Sequence, residues 1–359
     1  MTIDFDTYTT FELTKITQRF FKELLWWEQG KSRDFSYLKT KITSSNLVTD
    51  AQQFQIMTIG GSNFTSAIGS WQDGKLKLAN QVKTTLPIFE TKEIFLEFIH
   101  NQINLNLEII SINFGYPVEN FVRQGRLDAT LLRATKEHSF TGLVGENIGQ
   151  EIEKYIEQKS GKKVQVVVAN DIVCLLNSFE TTQNSAAMIV GTGFNLGFYE
   201  NNTTVNLESG NFSGFRQSET GVVIDKNSAN PGKQQFEKEV AGAYLYRHYN
   251  ILAKRYGLAE TQSTVTLSDI ATNGVGDEAM LAQKLFDRSA ALVACQLAGL
   301  YYFRGEEPMT WIVEGGIFYK SYKYQTSLKK YLKKLEVDLE NIQFVKPQNA
   351  FLGAAKLVC

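Results

Sequence analysis

Asn170 and Asp171 end the run VQVVVAND, which starts at Val164 and is long enough for one buried strand; apolar residues suited to a helix resume at Ile172. A carboxylate and an amide at the carboxyl end of a strand can reach a ligand in the crevice of an open α/β sheet, backed by rigid structure. Asp171 is thus the candidate base or hydrogen-bond acceptor, and the competing reading is an Asn-Asp turn that caps the next helix. Two glycine turns offer a second kind of chemistry. Gly60-Gly61-Ser62-Asn63 lies between two short strands within Phe54 to Trp71, and Gly191-Thr192-Gly193 does the same within Ala187 to Tyr199, about half a chain later. Such turns can aim several backbone N–H groups at one point, so a facing pair would clamp a phosphate. The common nucleotide signatures are missing: Gly161-Lys162-Lys163 lacks the rest of a P-loop, and Gly191 to Gly197 has the wrong spacing for a dinucleotide fingerprint.

The elements that must position these residues follow from periodicity. Phe11 to Trp27 reads as an amphipathic helix with Leu13, Ile16, Phe20 and Leu24 on one side, and Trp26 and Trp27 read as packing residues. Ile94 to Ile103 is amphipathic, Ile109 to Phe114 is a strand, and Gly115-Tyr116-Pro117 is a loop. Thr135 and Lys136 lie in a polar stretch ahead of a helix near Ile148 to Ile156. Glu208 sits in the turn of VNLESGNF, and Pro231 is expected to open a helix with Phe236, Val240 and Tyr244 on one face and Glu237 at its margin. Ala279 to Phe303 reads as a long buried helix, Trp311 to Val313 as a strand ending at Gly315-Gly316, and Gly353-Ala354-Ala355 as a small-residue helix packed close to another element.

Composition narrows the partner. Lys and Arg number 37 against 38 Asp and Glu in 359 residues, so no global field attracts nucleic acid or anionic lipid, and a small-molecule partner is expected. The lysines at 329, 330, 333 and 334 alternate with leucines and read as the wet face of a helix. Cys174, Cys295 and Cys359 are scattered, as are His100, His138 and His248, which points to a reducing compartment and away from a transition-metal cluster. The acidic, polar start MTIDFDTYTT does not read as a secretory signal, and no run approaches a membrane span. A cytoplasmic protein is expected.

In order, these motifs resemble the hexokinase and glucokinase family of the actin-like ATPase superfold: a glycine hairpin, a Phe-x-Phe-Pro-Val-like segment, Thr-Lys, Asn-Asp, a Gly-Thr-Gly hairpin, a Glu turn and Phe-Glu-Lys. The resemblance implies an α/β, two-lobed actin-like ATPase (ribonuclease H-like) fold of hexokinase type, with a cleft between a small domain (54–170 plus 345–359) and a large one (1–53 plus 171–344). It makes Asp171 the base for the 6-hydroxyl of a hexose as that oxygen attacks the γ-phosphate of ATP, with Lys136 assisting. Thr135, Lys136, Asn170, Asn195, Glu208 and Glu237 would bind the sugar. Gly60, Gly61, Ser62, Asn63, Gly191, Thr192, Gly193, Gly315 and Gly316 would bind the nucleotide. ATP and Mg²⁺ are implied, the metal held mainly through the nucleotide with no protein metal site, in a monomer or homodimer. Departures from the family fall on more than one part of the site: Thr58 stands where the family has an Asp that helps hold hydrated Mg²⁺ and Thr65 replaces an Arg, Gly115 replaces a Ser that usually contacts the sugar, Ile172 replaces the Thr after the catalytic Asp, and the family's glycine-rich nucleotide segment near the carboxyl end reads Asn349-Ala350-Phe351-Leu352-Gly353. A catalytically impaired sugar-binding sensor or regulatory homologue is the competing reading.

Overall fold

A computed structural model describes residues 5–36, 38–42, 45–135 and 138–359. The chain divides into two compact units. The Asp171 unit comprises Leu38–Gln183, Phe198–Asn206 and Lys346–Cys359, and the Glu237 unit comprises Met1–Tyr37, Asn184–Gly197 and Leu207–Val345. The lobes expected from the sequence divide the chain at other points, because residues 38–53, 171–183 and 198–206 group with the 54–170 segment.

In the Asp171 unit, β1 (Leu38–Thr40) is followed by a long hairpin, β2 (Gln53–Gly60) and β3 (Asn63–Gln72), and by β4 (Lys75–Thr85). Helix α2 (Lys92–Gln102) leads to β5 (Ile109–Gly115), then to the ribbon of β6 (Val118–Arg123) and β7 (Arg126–Leu131). Helix α3 (Ile148–Ser160), strand β8 (Gln165–Asn170) and helix α4 (Asp171–Asn177) complete the run. The main sheet has the order β4-β3-β2-β5-β8, with β5 parallel to both β2 and β8. Alternate residues of the central strands feed two cores: Met57, Ile59, Ile112 and Phe114 pack with α2 and α3, whereas Ile56, Ile109, Val167 and Ala169 pack on the other face with Val173, Ala354 and Ala355. Burial on both faces explains why these strands read as continuous apolar runs.

The Glu237 unit opens with α1 (Thr10–Glu28), closed at its start by a capping box of Thr9 and Glu12. Its sheet places β10 (Phe194–Glu200, which runs on into the other unit), β9 (Ser185–Val190), β12 (Met309–Glu314) and β13 (Ile342–Val345) side by side, with β12 parallel to β9 and β13. In the Asp171 unit, β11 (Thr203–Asn206) pairs antiparallel with β1. Helices α5 (Glu219–Lys226), α6 (Gln235–Val240), α7 (Gly242–Tyr256), α8 (Thr264–Asn273), α9 (Gly276–Phe303), α10 (Gly316–Lys320) and α11 (Tyr324–Lys334) fill the rest of the unit. As expected, α9 is long and buried, and α11 buries Leu328 and Leu332. Trp27 is core, its indole N–H donating to the Ser36 carbonyl at 3.1 Å, whereas Trp26 is only half-buried, with the Lys22 ammonium over its ring.

The single helix expected from Pro231 is two. Ala241 is extended (φ −88°, ψ 155°), which breaks α6 from α7 and frees the first N–H groups of α7 for another task. Gly242 and Ala243 donate to the carbonyls of Gly191 and Thr192 at 2.8 and 3.0 Å, so the break docks a helix start onto the glycine hairpin. The last helix, α12 (Leu352–Ala355), belongs to the Asp171 unit and lies close to α4. A β-carbon at Gly353 would come within 1.7 Å of the Cys174 carbonyl oxygen, and Asn177 Nδ2 donates to the Gly353 carbonyl at 2.8 Å. Among the described residues no helix is long and apolar enough to cross a membrane.

Candidate active site

Asp171 opens α4 directly after β8, and Asn170 is the helix N-cap. The Ile172 N–H donates both to Asn170 Oδ1 and to Asp171 Oδ1, each at 2.9 Å, so one carboxylate oxygen is tied to the helix start. The other oxygen, Oδ2, lies over Gly115, where an added β-carbon would approach it to 3.3 Å. The capping reading of the Asn-Asp pair therefore holds for Asn170. Asn170 caps the helix and is otherwise engaged in structure: its Oδ1 also accepts from Asn206 Nδ2 at 3.1 Å, its Nδ2 donates to the Tyr116 carbonyl at 3.2 Å, and it is 2% exposed. Asp171 is half-buried and stands at the strand's carboxyl end.

Thr135 is buried, and its hydroxyl has no partner among the described residues. Lys136 lies outside the described residues. The loop carrying Thr135 is held by His138, which the sequence offered only as a scattered histidine. The Phe89 N–H donates to His138 Nδ1 at 2.9 Å, so Nε2 carries the proton and meets the Tyr116 hydroxyl at 3.0 Å, while the ring stacks on Phe89 and Phe140.

Three proposed sugar ligands of the Glu237 unit form one knot. Asn195 Oδ1 accepts the Ser209 N–H at 3.1 Å, which ties β10 to the turn after Glu208. Glu237 Oε2 accepts the Phe194 N–H at 2.9 Å, tying α6 to the same strand. Glu208 itself is left-handed (φ 50°, ψ 44°), a conformation costing a non-glycine residue on the order of 1–3 kcal/mol unless its surroundings impose it. Those surroundings are tight, since a β-carbon on Gly210 would lie 3.0 Å from Glu237 Cβ. Gln296 of α9 supports the turn by donating to the Ser209 carbonyl at 3.2 Å, and the buried Ser209 hydroxyl has no partner among the described residues. Ser209, Gln296 and Asn206 escaped the sequence reading; Asn206 left a trace, as a polar residue two before Glu208 in VNLE.

The glycines of the two hairpins are where backbones touch. Gly60 is the register partner of Gly115, and a β-carbon on either would come within 3.0–3.1 Å of the other's Cα. Correspondingly, a β-carbon on Gly191 would lie 3.2 Å from Gly315 Cα. Gly315 has φ +121°, and a β-carbon there would fall 2.1 Å from the Val190 carbonyl oxygen, so only glycine fits. Gly61 and Ser62 form the tip between Gly60 and Asn63, and Gly193 returns a carbonyl to the Gly191 N–H at 3.0 Å. Gly316 starts α10 in open space, and the neighbouring Glu314 has its carboxyl raised above the ordinary range by burial. Among the described residues no cluster of His, Cys, Asp and Glu could hold a metal ion alone.

A mixed sheet with parallel strands in each unit, each with a glycine hairpin, is the architecture of an actin-like ATPase fold. The structure of the hexokinase from Schistosoma mansoni complexed with glucose superposes with a TM-score of 0.80 over 98% of this chain and 95% of that one, at 18% identity. The family model for hexokinase matches residues 185–252, which hold the second hairpin, Asn195, Glu208 and Glu237. In sequence, the Schistosoma mansoni hexokinase is 26% identical over 238 residues, 57% of this chain and 52% of that protein. Hexokinase-5 of Oryza sativa subsp. japonica is 31% identical over 156 residues, 38% of this chain and 30% of that protein. The matched stretches thus span about half or less of these relatives. The chain thus resembles hexokinases, in sequence over part of its length and in fold over nearly all of it.

Proposed function

We propose that the chain is an ATP-dependent hexose kinase that phosphorylates the 6-hydroxyl of glucose or a similar hexose, with Asp171 as general base. The observation that carries this reading is the pinning of Asp171: one oxygen is held by the Ile172 N–H, and the other lies over Gly115. A base so fixed meets the positional demand of proton transfer. Asp171 takes the proton of O6 as that oxygen bonds to the γ-phosphorus and the bond from phosphorus to the β,γ-bridging oxygen breaks. Bound Mg·ATP supplies the phosphoryl group and neutralises charge on the departing ADP.

Thr135, Asn170, Asn195, Glu208 and Glu237, with Lys136, bind the hexose in this reading. Thr135 brings a buried hydroxyl with no partner among the described residues, and Glu237 brings an acceptor held by its own unit. Sugar hydroxyls need such mixed donors and acceptors. The hairpin residues Gly60, Gly61, Ser62 and Asn63, together with Gly191, Thr192, Gly193, Gly315 and Gly316, receive the phosphates through backbone.

One observation favours the competing reading of an impaired sugar sensor: β2 reaches Gly60 with the neutral Thr58 two residues earlier. Losing a partner in the outer shell of a metal typically costs about 10 to 100-fold in activity or affinity. Sugar-dependent ADP release from Mg·ATP, assayed with glucose, mannose, fructose and glucosamine, separates the two. Turnover that vanishes in Asp171→Ala and rises about tenfold or more in Thr58→Asp is expected. No turnover by the unaltered chain with any of these sugars would leave the sensor as the better reading.

A further inference from the structure

Asn113 was not among the site residues read from the sequence, yet its place in the sheet is unusual. It is the register partner of Thr58 on β2 and of Ala169 on β8, so its side chain shares a sheet face with Thr58. Two residues on along each strand come Gly115, Gly60 and Asp171, one strand repeat of about 6.6 Å away. Along β5, residues on this face pack downward onto α12, with Ser111 Oγ donating to the Ala354 carbonyl at 2.7 Å. Asn113 stands one repeat higher, below Gly115, and is 4% exposed. Its Oδ1 and the Thr58 Oγ1 are both buried without a partner among the described residues. Two neighbouring orphan oxygens in one strand register are rare, because an unmet buried acceptor is costly.

The chemistry of the pair selects what can meet it. Asn113 Oδ1 only accepts, the Thr58 hydroxyl can accept as well as donate, and Asp171 adds a carboxylate at the same end of the sheet, so the niche favours a donor over a bare phosphate oxygen. A water bound to a divalent cation is a stronger donor than bulk water. Mg²⁺ keeps several waters and uses only one or two carboxylates. We propose that Asn113 is a positioning residue that, with Thr58, accepts hydrogen bonds from the water shell of the nucleotide's Mg²⁺, in compensation for the missing carboxylate at position 58. The proposal rests on the kinase reading above.

Its test uses Mn²⁺ as the probe, titrated into the full chain with ADP and glucose and followed by electron paramagnetic resonance of the free ion, with glucose binding measured separately by calorimetry. Asn113→Val is expected to weaken Mn²⁺ binding in the ternary complex about tenfold and Asn113→Asp to strengthen it by a similar factor, with glucose affinity unchanged in both. Should Asn113→Val not fold, the isosteric Asn113→Asp decides alone. Unchanged Mn²⁺ affinity in the folded variants, in a chain that does bind Mn·ADP, overturns this inference and reduces the niche to a structural one. A chain that binds no Mn·ADP at all overturns the inference together with the kinase reading.

Discussion

The two glycine hairpins are built on one plan and held to different tolerances. In each unit, a glycine at the end of the hairpin's first strand or just after it meets a glycine at or just after the end of the neighbouring parallel strand: Gly60 with Gly115, and Gly191 with Gly315. The Glu237 unit clamps its hairpin from three directions, through the start of α7, through the left-handed cross of Gly315 over Val190, and through the Asn195–Ser209 and Phe194–Glu237 hydrogen bonds. The Asp171 unit leaves orphan oxygens at Thr58 and Asn113 beneath its glycine pair. The hexokinase family match falls on residues 185–252, and the departures Thr58, Thr65, Gly115 and Ile172 all fall in the Asp171 unit. The hairpin of the Glu237 unit is thus the more tightly fastened of the two, and the departures from the resemblance gather in the other unit.

That contrast can be broken by adding a single methyl group. Gly315→Ala meets both a positive φ and a carbonyl oxygen 2.1 Å away, so it should destabilise the chain by more than about 3 kcal/mol in urea unfolding. Gly115→Ala meets backbone at 3.0 Å and should cost roughly 1–2 kcal/mol. Equal losses would remove the difference in tolerance between the hairpins.

A second test uses pH, through the buried charges behind Glu237. Glu239 accepts from Arg288 at 3.1 Å and from the Ser218 N–H at 2.8 Å, while His248 accepts from Arg288 at 3.2 Å and reaches the Lys238 carbonyl through Nε2 at 2.8 Å. Burial lowers the His248 pKa from 6.5 to about 4, with Glu239 opposing and Arg288 adding to the shift. The unfolded histidine therefore binds its proton at higher pH than the folded one. Its contribution to stability is complete above pH 6.5 and is lost as pH falls toward 4. The expected loss is about 3 kcal/mol. Urea unfolding at neutral pH and near the lower value should show a steeper acid loss for the unaltered chain than for His248→Gln. Parallel slopes would mean that the imidazole is not held neutral.

Much of this was legible because the signals were local. The strand-to-helix junction at Asn170, the two glycine hairpins, the buried α9 and the close packing at Gly353 follow from apolar periodicity and from glycine at positions where backbones meet. What stayed hidden depends on pairing across the chain. The break at Ala241 exists because the N–H groups of α7 are needed fifty residues away at Gly191 and Thr192, and no propensity within residues 231–256 announces it. The engagement of Asn170 with Asn206 and Tyr116 likewise requires the folded sheet. Asn113 was readable in part: Ser111 and Asn113 alternate within the otherwise apolar IISINFG, which marks one polar-tolerant face, but only the register sets Thr58 beside it.

The most direct measurement is the kcat and sugar KM of Asp171→Asn beside those of Glu237→Gln, with glucose and saturating Mg·ATP. If Asp171 does the chemistry and the Glu237 unit holds the sugar, Asp171→Asn lowers kcat by about 100-fold or more with KM little changed, and Glu237→Gln chiefly raises KM. A kcat that survives Asp171→Asn would contradict the assignment of the base.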